Sequence, residues 1–119
     1  GTGVRLLDTR NGTGWPGTAR VGEGAAVDLA VTGRGGVPTS GVDAVLLNLT
    51  ATDPLSSGYA TVFPTGQAPP LASNLNFVGG QTRANLVLAK VGAGGRVSIR
   101  NASRGCHFVA DVAGYFTTP

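Results

Sequence analysis

The close spacing of residues that end helices is the feature that most constrains this chain. Its 119 residues include 20 glycines and 7 prolines, and together with β-branched residues these interrupt every stretch in which a 3.6-residue apolar repeat might run. Inside a helix, glycine costs about 1 kcal/mol and proline about 3 kcal/mol relative to alanine. The pattern therefore excludes a helix-rich domain and predicts an all-β protein.

Eight short apolar or alternating segments lie between these breaks, and each predicts a strand. They span residues 4–7, 26–31, 44–52, 59–63, 73–78, 85–91, 96–100 and 106–116. A parallel sheet would need crossover helices that the sequence does not supply, so we predict an antiparallel β-sandwich, jelly-roll-like, of about eight short strands. The turn residues further predict two hairpins, one joining 44–52 to 59–63 and the other joining 85–91 to 96–100.

In the last predicted strand, side chains alternate between the two faces of a sheet. This alternation places Phe108, Val112 and Phe116 together on the core face with Cys106. Because Cys106 is the single cysteine, it has no partner for an internal disulfide, and we expect it to pack as a small apolar side chain.

The length of the chain favours a single domain over residues 1–119, because two separate cores would each bury too little apolar surface. There is no methionine, and the first residues lack the charged and apolar regions of a signal peptide. We therefore expect a module excised from a larger secreted protein. No apolar run approaches the roughly 20 residues of a membrane helix, so no membrane insertion is expected.

The net charge of +3 comes from basic residues scattered along the chain. Nucleic-acid binding proteins carry clustered basic stripes with aromatic stacking platforms, so nucleic acid is not an expected partner. A modest positive charge is compatible with contact to anionic cell-wall polymers.

The residues that support catalysis are nearly absent. His107 is the single histidine, no Gly-x-Ser-x-Gly motif accompanies it, and Cys106 beside it points to the opposite face of the strand. The sequence pairs no two of its six acids, so we expect no enzyme and no cofactor. Calcium held by loop carbonyls and Asp53 or Asp43 stays an open alternative.

A few polar and aromatic residues interrupt the apolar strands and turns. Asn, Asp and Arg side chains beside an aromatic ring suit a shallow sugar site, because planar polar groups bond hydroxyls while the ring covers the sugar face. The alternative is structural, with Asx side chains capping turns and Asp8 pairing with an arginine at the end of the first strand. The candidate ligand-binding residues are Asp8, Arg10, Trp15, Tyr59, Asn74 and Asn76.

Four segments taken together resemble a known module: RLLDTR at 5–10, NLTATDP at 48–54, SNLNF at 73–77 and DVAGYF at 111–116. The chain is similar to a secreted, β-rich actinobacterial accessory module that recurs beside amidases, peptidases and glycoside hydrolases of the cell exterior. The resemblance implies an extracellular location, with association to the cell surface, and catalysis left to the neighbouring domains. It implies no particular ligand residues.

These observations leave two main hypotheses. The first is a non-catalytic carbohydrate- or cell-wall-binding module whose partner is a polysaccharide or cell-wall glycan. It predicts a concave polar patch with an exposed ring. The second is a structural, oligomerisation or protein-interaction module, such as a stalk or adhesin unit. It predicts satisfied Asn and Asp side chains and an apolar face shared between copies.

Overall fold

A computed structural model describes residues 3–119, which form nine strands and one short 3₁₀ turn. The strands are β1 (Val4–Asp8), β2 (Val21–Gly22), β3 (Ala26–Ala30), β4 (Val42–Thr52), β5 (Gly58–Pro64), β6 (Leu75–Phe77), β7 (Arg83–Lys90), β8 (Arg96–Ala102) and β9 (Gly105–Thr117). Each of the eight predicted segments overlaps one strand, whereas the two-residue β2 is too short to leave a sequence pattern. Within the same residues no helix has the length and apolar character to cross a membrane.

The strands form two antiparallel sheets. Sheet I has the order β1-β9-β4-β7, with β2 also beside β9, and sheet II has the order β3-β8-β5-β6. Apart from β2, each strand of the first half pairs with one of the second half, as β1 with β9, β3 with β8, β4 with β7 and β5 with β6. Successive pairs alternate between the sheets, which is the winding of a jelly roll, so the predicted fold class is confirmed.

Both predicted hairpins are wrong. β4 and β5 lie in different sheets, and so do β7 and β8. The turns after β4 and β7 carry the chain across the sandwich instead of reversing it within one sheet. Turn residues mark where a strand ends, but the same chemistry serves a hairpin and a crossing between sheets.

The core fills the space between the two sheets. Phe108 on β9 and Phe77 on β6 meet there edge to face, with ring centroids 6.4 Å apart. Cys106 is fully buried beside them in the same cluster, and burial raises the pKa of its thiol to about 12. As expected from the sequence, this cysteine packs as an apolar side chain, and it remains a neutral thiol at physiological pH.

A β-bulge changes the face on which the end of β9 lies. Leu47 on β4 pairs with Val112 and Leu46 pairs with Gly114, so Ala113 is an extra residue without a partner on β4. One extra residue reverses the alternation of every side chain beyond it. Phe116 therefore lies on the outer face of sheet I and is 52% exposed, so its predicted place in the core is wrong.

The two phenylalanines of β9 should respond very differently to truncation. We expect Phe108→Ala to lower the free energy of unfolding by about 3–5 kcal/mol, because it empties a fully buried site. Phe116→Ala should cost about 1 kcal/mol or less, since this ring is half in water. Urea unfolding followed by tryptophan fluorescence measures both. Equal losses of unfolding free energy in the two variants would contradict the bulge and support an unbroken alternation along β9.

Candidate functional site

A groove lies on the outer face of sheet II, where the connection between β5 and β6 folds back over the sheet. Its volume is about 360 Å³. This falls within the range of about 300–1,000 Å³ that is usual for small-ligand sites. The groove is lined by Tyr59, Thr61, Pro69, Pro70, Leu71, Ala72, Ser73 and Arg100.

Two side chains fasten this connection to the sheet. The Thr61 hydroxyl donates a hydrogen bond to the carbonyl oxygen of Ala72 at 2.7 Å. The Asn74 Oδ1 atom accepts the backbone N–H of Val62, also at 2.7 Å, and so continues the hydrogen-bonded ladder beyond the end of β6. Pro69 and Pro70 stiffen the opposite wall, because each ring fixes its own φ angle. The groove is thus held open by the fold itself.

Tyr59 and Asn76 stand at the end of the groove nearest β6. They lie directly opposite one another on β5 and β6, so their side chains share the outer face. Tyr59 is 41% exposed and lines the groove, and Asn76 is exposed beside it. An exposed ring next to a free amide combines an apolar face with hydrogen-bonding groups.

Arg100 provides the charge of the groove. It is half-buried on β8, between Ala26 on β3 and Thr61 on β5. None of the ion pairs formed within residues 3–119 involves its guanidinium. The sequence offered no signal for Arg100 or Thr61, because the register between β5 and β8 joins parts of the chain that lie far apart.

Asp8 and Arg10 lie away from the groove, at the end of β1 in sheet I. The buried Asp8 carboxylate accepts hydrogen bonds from the backbone N–H of Arg10 at 3.0 Å and from its guanidinium at 2.9 Å. These bonds, together with the charges of Arg10 and Arg5, hold the pKa of Asp8 below its usual value. The carboxylate is fully used within the protein, as the structural alternative expected.

Trp15 is half-buried in the loop that follows β1. Its ring packs against the core cluster, and its indole N–H donates to the carbonyl oxygen of Ala19 at 3.1 Å. The ring therefore has a structural role and does not form part of the groove. Of the six candidate residues, the fold brings together Tyr59, Asn76 and the backbone around Asn74, and it separates them from Asp8, Arg10 and Trp15.

His107 is held by Thr9. The Thr9 hydroxyl oxygen accepts the backbone N–H of Phe108 at 3.0 Å and lies 2.8 Å from Nδ1 of His107. The hydroxyl donates to Nδ1 when the ring proton is on Nε2, and it accepts from Nδ1 in the other tautomer. Burial is the main reason why the pKa of His107 is lowered, and the nearby Arg20 adds to the effect.

The acids of the described residues do not gather into a site. Asp8, Asp53 and Asp111 each form an ion pair with an arginine. Residues 3–119 contain no group of three or more His, Cys, Asp or Glu side chains that suits a metal ion. The arrangement is therefore suited to binding at the groove, by one ring, one cation and a few polar groups.

No protein-family model, no curated protein and no solved structure matches this chain. The resemblance of its four motifs to a secreted accessory module accordingly stays an expectation from the sequence.

The burial of His107, which lowers its pKa, predicts a loss of stability in weak acid. The lowered pKa means that the folded protein binds this proton less readily than the unfolded chain, whose histidine has a pKa near 6.5. The stabilisation is complete above that pH and declines as the pH falls towards the folded pKa. We expect urea midpoints to fall between about pH 7.5 and about pH 5, and to fall less in His107→Gln. An equal decline in the unaltered chain and in His107→Gln would show that His107 does not cause the loss of stability.

Proposed function

We propose that this chain is a non-catalytic accessory module of a secreted bacterial protein and binds a saccharide in the groove of sheet II. The observation that carries the proposal is the exposed Tyr59 ring at a preformed groove of about 360 Å³. Its ligand would be a polysaccharide or a cell-wall glycan. The four motifs that resemble an actinobacterial accessory module support the same class of function.

The groove offers the groups that a sugar ring requires. Sugar rings present C–H groups on their faces, and an aromatic ring covers such a face while excluding water. Hydroxyl groups at the ring edge can bond to the amide of Asn76, which both donates and accepts. Because prolines and hydrogen bonds already order the walls, less conformational entropy is lost on binding.

Replacing the ring tests this function. We expect Tyr59→Ala to weaken saccharide binding about fivefold or more, given the roughly 1 kcal/mol that an aromatic contact contributes beyond its buried area. A glycan array and pull-down on chitin, cellulose and peptidoglycan identify the ligand, and calorimetry measures its affinity. Tyr115→Ala is the matched control, because Tyr115 is similarly exposed, 44% against 41%, but belongs to sheet I. Failure of the unaltered chain to bind any saccharide would reject the function.

The outer face of sheet I favours a second candidate function, self-association. Leu46 and Leu88 lie opposite one another on β4 and β7, and Leu86 and Phe116 flank them on the same face. Leu86, Leu88 and Phe116 are each more than half exposed. Contiguous exposed apolar side chains on one face are typical of protein contacts.

The charges of β7, an edge strand of sheet I, favour association through the face of the sheet over pairing of two β7 edges. In an antiparallel pair of two β7 edges, Arg83 at one end would lie opposite Lys90 of the other copy. Like charges placed directly opposite are destabilising, so the edge resists pairing with itself. The apolar face carries no such penalty at its centre, and a second copy of this chain is the occupant we propose.

Sedimentation velocity tests this second candidate. We expect a dimer that dissociates in Leu88→Lys, because a charge in the contact must be desolvated. Leu55→Lys is the matched control, since both leucines are 59% exposed and Leu55 lies outside sheet I. A chain that stays monomeric over the accessible concentration range would reject self-association without affecting the saccharide proposal.

A further inference from the structure

We infer that the saccharide bound in the groove carries an anionic group, a carboxylate or a phosphate, and that Arg100 binds it. The inference rests on the proposed function and specifies the chemical class of its ligand. Three observations support it: the position of Arg100 in the groove, the absence of an ion pair to it within residues 3–119, and the apolar character of its surroundings.

Arg100 lines the groove, and the Nη2 atom of its guanidinium lies beside Gly24 in the turn between β2 and β3. Its two cross-strand neighbours on the outer face are the small residues Ala26 and Thr61. Thr61 is buried beneath the β5–β6 connection and already donates its hydroxyl hydrogen to Ala72. Neither neighbour supplies a negative charge, so a ligand in the groove is free to provide one.

Among the carboxylates on the outer face of sheet II, Asp28 is the one closest to Arg100 in the strand register. It lies opposite Ser98, one row away from Arg100, and accepts the Ser98 hydroxyl at 2.6 Å. The Ser98 hydroxyl is itself bonded to Thr65 at 2.8 Å, which fixes this arrangement under the loop. Diagonal neighbours in a sheet are about 7–8 Å apart, a distance that a long side chain spans, but Arg100 and Asp28 form no ion pair within residues 3–119.

The surroundings strengthen an interaction with an anion. Pro69, Pro70 and Leu71 form an apolar wall across the groove, and a bound ligand would displace water between this wall and Arg100. A guanidinium presents parallel N–H donors that match the two oxygens of a carboxylate or phosphate. The hydroxyl groups of a neutral sugar can also accept hydrogen bonds from the guanidinium, but they do not neutralise its charge, and bonds to an ionised acceptor are stronger.

The experiment compares acidic and neutral polymers on the 119-residue chain. The probes are polygalacturonate for carboxylate, poly(glycerol phosphate) for phosphate, and soluble chitin oligomers and dextran as neutral saccharides. The variant Arg100→Gln removes both the charge and the parallel N–H donors of the guanidinium, whereas Arg100→Lys keeps the charge without those donors. The matched control is Arg96→Gln, an exposed arginine of the same strand that lies outside the groove lining and lowers the net charge equally.

We expect one acidic polymer to bind, with Arg100→Gln weakening it by about tenfold or more, as for a lost hydrogen bond to a charged group. The affinity of Arg100→Lys should lie between those of the unaltered chain and of Arg100→Gln. Arg96→Gln should change the affinity by less than about threefold, because exposed charges are screened. The polymer that binds identifies the anion as carboxylate or phosphate. Circular dichroism melts confirm that each variant is folded.

Three results would overturn the inference. Equal binding of neutral and acidic saccharides, unchanged in Arg100→Gln, would remove the anionic requirement and leave the proposed function standing. Equal weakening by Arg100→Gln and Arg96→Gln would show diffuse charge attraction in place of a defined contact. Binding of none of the saccharides would reject the inference together with the function on which it rests.

Discussion

The pairing of β4 with β9 is the interaction on which the rest of the molecule depends. These strands, 11 and 13 residues long, form the centre of sheet I and bring together residues that lie about half the chain apart. β1 attaches to the free side of β9, and β7 attaches to the free side of β4. The strands that neighbour this pair along the chain, β3, β5 and β8, lie in sheet II.

Two of the four motifs that carry the resemblance serve the attachment of β1 to this central pair. RLLDTR and DVAGYF meet across β1 and β9, where Arg5 pairs with Asp111. The bulge between Arg5 and Leu7 places Arg5 and Asp8 on one face, although they are three residues apart. Thr9, directly after β1, extends the contact with β9 by hydrogen bonds to the backbone of Phe108 and the ring of His107. Polar residues inside apolar strands here satisfy one another, and no buried side-chain nitrogen or oxygen of residues 3–119 lacks a partner.

The two outer faces of the sandwich differ in chemistry for a reason of topology. Sheet II is crossed by the long connection from β5 to β6, which buries Thr61 and Phe63 and creates a groove with an apolar wall and one cation, Arg100. On sheet I the bulge turns Phe116 outward beside Leu46 and Leu88, which leaves an apolar surface. Binding of a ligand and association of copies would therefore use opposite sides of the molecule, and neither would obstruct the other.

The positions of most strands in this protein are determined by the local sequence alone. Glycine and proline break helices wherever they stand, and alternation marks a half-buried strand, so the all-β class and eight of the strand positions follow from neighbouring residues. The tertiary structure decided the rest. The partner of each strand, the bulge at Ala113 and the placement of Tyr59 and Arg100 in one groove depend on contacts between distant segments. A turn does not reveal which sheet the next strand will join, because that choice is made by burial of the whole core.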